Sequence, residues 1–248
     1  MPTTKPDRIR SDRAGRWAGE GHSGALVGSG PMPTASDPDL LVLLGLRLRS
    51  FAVASVVADA AGLPTPETES RLAQLAVADL ARFRDGRMTG WMLTPAGREA
   101  GEAALAAELD GSGSRSPVTA AYQRFLAINA GLLETCTDWQ LRSVDGDQRV
   151  NDHADPPHDA AVIARLTRLD GAVQPIVADL AEVLSRFGGY GSRLAGALAK
   201  VQNGDVDWFT KPTIDSYHTV WFELHENLLA TLGIERSAEF ASEIEEAP

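Results

Sequence analysis

The chain has a single cysteine among 248 residues, Cys136. One thiol can neither close an internal disulfide nor supply a cysteine-rich metal centre, and this usage suits a reducing compartment. Cys136 itself reads as a small core residue. Aromatic side chains make up only 6% of the sequence, so any cluster of them is informative. No apolar run approaches the roughly 20 residues of a membrane span. The longest, Leu40 to Leu46, is interrupted by Gly45. The basic start (Lys5, Arg8, Arg10, Arg13, Arg16) has no hydrophobic stretch directly after it, so it does not read as a secretory signal. Enzyme signatures are missing as well: no phosphate-cradling glycine loop after a strand, no nucleophile elbow and no zincin histidine pair. These absences lead us to expect a cytoplasmic protein with no membrane partner, no cofactor and no enzymatic activity.

The net charge of −11 is distributed unevenly. Residues 1–105 hold 12 basic and 12 acidic side chains, whereas residues 106–248 hold 11 and 22. All of the excess acid thus lies in the second half. Such a split suits a neutral binding module joined to an acidic regulatory or assembly domain.

Composition divides the chain further. Residues 1–36 contain six glycines and four prolines with little apolar periodicity, which predicts a disordered tail. Asp37-Pro38-Asp39 starts a helix carrying Leu40, Leu41, Leu43, Leu44 and Leu48. A short helix from about Val53 to Ala61 stops at Gly62, and a third opens at Thr65-Pro66-Glu67, with Thr65 as N-cap. Two extended runs, 82–84 and 88–93, flank Asp85-Gly86, a strong hairpin signal. Thr94-Pro95 opens a fourth helix. Residues 111–117 read as a flexible linker. Beyond it the sequence predicts helices at 118–141, 159–186, 190–202, 213–232 and 236–245, with a polar loop at 143–158 and no strand alternation.

The expected fold is therefore mainly α: a winged helix-turn-helix domain over 37–110, with a two-stranded wing, followed by a helical bundle over 118–248 for regulation or dimerisation. In a helix-turn-helix the third helix enters the major groove. Its apolar face here is Leu72, Leu75, Ala76 and Leu80, while Glu67, Ser70, Arg71 and Gln74 lie opposite, on the side that would meet DNA. Arg71 suits guanine or phosphate and Gln74 suits adenine. Thr65 and Thr68 are placed to bond phosphates. The wing arginines Arg82, Arg84 and Arg87 are placed to track phosphates or enter the minor groove. Glu67 and Glu69 oppose this reading, and an adaptor that uses the same module to bind proteins is the alternative.

The stretch Trp91-Met-Leu-Thr-Pro-Ala-Gly97-Arg98 resembles the leucine-threonine-x-x-glycine ending of MarR- and PadR-type winged-helix regulators. Val53-Ala-Ser-Val-Val-Ala-Asp-Ala-Ala-Gly62-Leu63 is similar to their first helix-turn-helix helix. The resemblance covers about residues 38–105 and implies a bacterial, usually dimeric, transcription regulator that binds double-stranded DNA. Those families commonly place a dimerisation helix ahead of the module. Here that segment is rich in glycine and proline, so a homodimer contact falls to the C-terminal half. That half, with its block from Asp215 to Leu229, looks like the helical extensions of actinobacterial regulators.

Four of the five histidines lie in this half, and aromatic residues concentrate there too. Trp139, Trp208, Trp221, His218 and His225 are candidates to wall a pocket for a small-molecule effector; the plainer reading makes them bundle core. Asp215 and His218 are the metal-ligand candidates, with a histidine from 143–158 as a conceivable third. His218 and His225 are seven residues apart, about 10.5 Å along a helix, too far to share an ion without other helices. No metal is expected.

Overall fold

The computed structural model describes residues 32–144 and 146–236. These form a mainly helical structure with two small two-stranded antiparallel sheets. The chain order is α1 (Pro38–Arg49), α2 (Ala54–Ala61), α3 (Thr65–Val77), β1 (Ala81–Arg84), β2 (Gly90–Leu93), α4 (Pro95–Gly111), α5 (Arg115–Gln140), β3 (Leu141–Val144), β4 (Asp147–Val150), α6 (Pro156–Val183), α7 (Tyr190–Gln202), α8 (Asp207–Thr210) and α9 (Tyr217–Leu232). A 3-10 turn, Ser185–Phe187, links α6 to α7.

Local chemistry explains the first elements. The Asp37 carboxylate accepts hydrogen bonds from the amides of Asp39 (2.8 Å) and Leu40 (3.3 Å), and Pro38 occupies the first turn. Gly62, left-handed at φ +65°, ends α2. The turn into α3 differs from expectation. Pro64, not Thr65, is the N-cap, no side chain caps the helix, and Thr65 is its first residue.

β1 and β2 pair in register, Ala81 opposite Leu93 and Phe83 opposite Trp91. Ala52 adds an antiparallel bridge to Trp91, tying the start of α2 to the hairpin. The loop between the strands spans residues 85–89, longer than a two-residue turn at Asp85-Gly86. Thr94 secures the exit. Its hydroxyl accepts from the Gly97 amide (2.9 Å) and donates to the Asp79 carbonyl (2.6 Å). Backbones pass so closely here that a Cβ on Gly97 would lie 1.8 Å from the Leu80 carbonyl oxygen.

Val42, Leu46, Val57 and Leu72 centre the core of this first half. A larger core fills the second, with Phe125, Leu132, Leu166, Leu180, Phe187 and Tyr217 wholly buried. Leu40, Leu44, Leu105 and Ala230 form a third cluster in which α1 and α4 of the first half meet α9 of the second.

Several expectations need correcting. Most of the segment 111–117, expected as a flexible linker, is helical: α4 runs to Gly111 and α5 starts at Arg115, leaving the turn Ser112–Ser114. The loop expected at 143–158 contains half of a hairpin, in which Leu141 faces Val150 and Arg142 faces Arg149. The tail expected over 1–36 lies outside the described residues up to 31. Its end is held in place, because Thr34 bridges to Leu184 through Thr34 N–H to Val183 O and Ser185 N–H to Thr34 O, both 3.0 Å. Of the helix expected at 236–245, all but the first residue lies outside the described residues.

Candidate nucleic-acid interface

The exposed face of α3 consists of Pro66, Glu69, Ser70, Ala73, Gln74 and Val77. Ser70 and Gln74 therefore reach solvent as expected, and Thr65 is half-buried at the helix start. Thr68 and Arg71 do not join them. Thr68 is completely buried, and its hydroxyl donates to the Pro64 carbonyl at 3.2 Å, so it has no surface from which to touch a phosphate. Arg71 folds back along the protein. Its Nη1 donates to Asp39 Oδ1 (2.7 Å), and Nε and Nη2 donate to Glu67 Oε1 (3.1 and 2.9 Å). These bonds, Asp39 first, hold the guanidinium pKa above its usual value. Arg71 braces the start of α3 against the start of α1. With it engaged, the exposed face of α3 carries no base, one acid and a fully presented Val77, 92% exposed.

The hairpin is different. Arg82, Arg84 and Arg87 are all exposed, and none makes an ion pair or side-chain hydrogen bond among the described residues. The one acid at the tip, Asp85, is turned into its own loop. Its Oδ1 accepts from the Gly86 amide (2.9 Å) and the Thr89 hydroxyl (3.2 Å). Arg82 and Arg84 share one face of β1, while Phe83 leans on Trp91 from the other with ring centroids 5.1 Å apart. Arg98, exposed on the first turn of α4 and likewise without a partner among the described residues, adds a fourth cation beyond the predicted contact residues.

The candidate effector residues do not converge. Trp139 stacks on Phe209 (4.5 Å between centroids, 13° between planes). Trp221 packs on Phe125 and donates from Nε1 to Asn129 Oδ1 at 3.0 Å. His225 is buried beside Phe125. Trp208 lies under the Lys200 ammonium, 3.2 Å from its ring centre. His218 is partly buried, and burial lowers its pKa below the ordinary imidazole value. Trp139, Trp221 and His225 are thus core residues of the helical half.

Of the metal candidates, Asp215 and the loop histidines are engaged elsewhere. Asp215 pairs with Arg193 (3.1 Å) and Arg49 (3.7 Å). His153 Nδ1 meets Asp159 Oδ2 at 2.9 Å, and His158 Nε2 meets the Asp138 carbonyl at 2.9 Å. Among the described residues no three histidine, cysteine, aspartate or glutamate side chains come together as a metal requires. Nor is any described helix long and apolar enough to cross a membrane.

The strongest electrostatic feature has little signature in the sequence. Glu223 on α9 is 5% exposed and accepts a two-pronged bond from Arg193 of α7 (2.8 and 2.9 Å) and a third from Arg49 at the end of α1 (2.8 Å). Burial pulls the Arg193 pKa down, and the bonds and charge of Glu223, with the charge of Asp215, more than reverse it. A second pair, Arg186 with Glu108, is deeper still at 4% and 9% exposure. Both clusters join the first half of the chain to the second. Their one sequence signal is an acid inside the apolar run Val220-Trp-Phe-Glu223-Leu224. No family model, curated protein or solved structure matches the chain.

Proposed function

We propose that this chain is a DNA-binding transcription regulator. In this reading residues 38–105 act as a winged helix-turn-helix, with β1–β2 as the wing, and the acidic helical remainder is a bundle that dimerises or senses a small molecule. The observation that carries the proposal is the wing: three exposed arginines without acidic partners among the described residues, beside an acid that its own loop already occupies. Cations left unpaired by their own protein are available to phosphates. Because the exposed face of α3 holds no base, the wing and Arg98 supply most of the affinity. Ser70, Gln74 and Thr65 are left to contact base edges or backbone.

The test is binding of the full chain to generic duplex DNA, by fluorescence anisotropy across a salt series. Binding that weakens steeply with salt and falls in the Arg82→Ala, Arg84→Ala, Arg87→Ala triple variant supports the proposal. An absence of binding at low salt overturns it.

A second reading, in which the same module binds another protein, is favoured by apolar side chains exposed on α3 and the hairpin. Val77 is 92% exposed, Met88 65% and Phe83 48%. Pull-down of a protein partner that is lost on Val77→Ser and Met88→Ser, together with no DNA affinity, would select it.

A further inference from the structure

Ser50, the residue that ends α1, has φ +59° and ψ −51°, and across it the Phe51 amide donates to the Arg49 carbonyl at 2.6 Å. This is a γ-turn with a positive central φ, the rare and strained form. A side chain in such a conformation carries a steric cost that glycine escapes. Nothing in Ser50 itself holds it there: its side chain is exposed and makes no hydrogen bond among the described residues. The turn is held by what flanks it.

Two grips flank it, three residues apart. On the α1 side, Arg49 Nη2 donates to Glu223 Oε2 of α9 at 2.8 Å. Glu223 is buried and is fixed independently by its two bonds from Arg193, which makes it a firm anchor. Asp215 adds a weaker contact, 3.7 Å from Arg49. On the other side, Ala52 and Trp91 exchange both backbone bonds, Ala52 N–H to Trp91 O at 3.1 Å and Trp91 N–H to Ala52 O at 2.7 Å. The Phe51 ring lies so close to Gly90 that a Cβ there would be 2.9 Å from its Cζ. Gly90 and Trp91 belong to β2, and Trp91 packs on Phe83, which sits between Arg82 and Arg84 of β1. One sharp turn thus joins a charge cluster of the helical half to the arginine-bearing hairpin.

We infer that the Arg49–Phe51 turn is a strained hinge through which the Glu223 cluster controls the hairpin. While Arg49 is held, the turn stays closed and Ala52 is presented to Trp91. When Arg49 leaves Glu223, Ser50 relaxes, the bond from Phe51 to Arg49 opens and Ala52 is drawn off Trp91. The allowed wells for serine lie elsewhere in φ and ψ, so release is a change of state and not a gradual drift. Glu223 and Arg193 also line a cavity of about 340 Å³, so the cluster is not sealed within the core. An event that separates Glu223 from Arg49 reaches the hairpin without passing through α2 or α3. That a released hairpin binds DNA more weakly rests on the regulator reading above; the hinge itself does not.

Amide hydrogen exchange of the full chain, read by NMR at Ala52 and Trp91, tests the hinge. Urea unfolding of each variant supplies the correction for global stability. Arg49→Met should speed exchange at both amides by roughly tenfold beyond that correction. Glycine takes the turn at little cost, so adding Ser50→Gly to the Arg49→Met chain should return both rates to within about threefold of the wild-type values. Ser50→Gly alone should slow both, which keeps the hinge testable should Arg49→Met fail to fold. A purely structural ion pair would lower global stability and leave the corrected rates unchanged. Corrected rates unchanged in Arg49→Met, or a double variant as fast as Arg49→Met, overturn the inference. So does a Ser50→Gly chain whose two amides exchange as fast as wild type or faster. Duplex DNA binding is measured separately. The expected exchange pattern in a chain that binds no DNA supports the hinge and overturns the regulator reading alone.

Discussion

The Arg186 guanidinium and the Glu108 carboxylate form an ion pair inside the protein, joining the turn after α6 to the last turns of α4. Arg186 also donates to Ser36 and to Thr231 (3.0 Å each). Burial lowers the Arg186 pKa, and the charge of Glu108 opposes that fall. Removing one partner strands the other charge, so Arg186→Met and Glu108→Leu should each destabilise by about 3–5 kcal/mol. The double variant should recover most of that loss, because two apolar side chains replace a costly buried pair. Urea unfolding of the three variants checks this; a double variant no better than the worse single one contradicts it.

On the proposed regulator reading, substituting the hairpin arginines should act on DNA affinity and not on the fold. The Arg82→Ala, Arg84→Ala, Arg87→Ala chain should retain its stability to within about 0.5 kcal/mol, as exposed positions do. The slope of log K against log salt should flatten by about 0.9 for each phosphate that is no longer neutralised. Arg71→Ala is the matched contrast. It should lower thermal stability by freeing Asp39 and Glu67, and leave the salt slope unchanged.

Two glycines in α4 should respond in opposite directions. A methyl on Gly97 would collide with the Leu80 carbonyl, so Gly97→Ala should cost about 4 kcal/mol or more, or prevent folding. Gly101 is buried too, but a Cβ there meets only Leu43 Cβ at 3.5 Å, an ordinary contact. Gly101→Ala should stabilise by about 0.5–1 kcal/mol through helix propensity. Circular dichroism melts of both distinguish the outcomes.

Acid should weaken the fold through His218. Its pKa is depressed in the folded state by burial, so below the ordinary imidazole value of 6.5 the unfolded chain binds more protons than the folded one. Stability from this group is therefore fully present above pH 6.5 and declines as pH falls below it. The His218→Gln chain should show a flatter stability profile between about pH 7 and 5.5. An unchanged profile would mean that other groups govern acid unfolding there.

Local signals in the sequence locate local structure. Asp37-Pro38, Gly62 and Thr94-Pro95 mark helix ends because caps and turns act over three or four residues. Asp85-Gly86 marks the first hairpin for the same reason. The second hairpin is flanked by the same dipeptide in the sequence, Asp145-Gly146, but Leu141–Val144 and Asp147–Val150 are too polar to alternate, so nothing beside the dipeptide reads as a strand. The interface is less legible. A helical wheel places Arg71 on the outer face, yet its position is decided by Asp39, 32 residues earlier. Trp221 and His225 meet at Phe125, whereas Trp139 stacks on Phe209, so the aromatic-rich half of the sequence does not show which of its side chains pack together. The Glu223 and Arg186 clusters join residues far apart in the chain, and no window of local sequence contains both partners.

The small cluster of Leu40, Leu44, Leu105 and Ala230 bears on biosynthesis. A ribosome delivers the first three residues well before the fourth, since α9 follows α4 by roughly a hundred positions. Until α9 emerges, the nascent first half presents an uncovered leucine seam to its surroundings. Chaperone capture during translation should therefore centre on that seam and end when α9 is released.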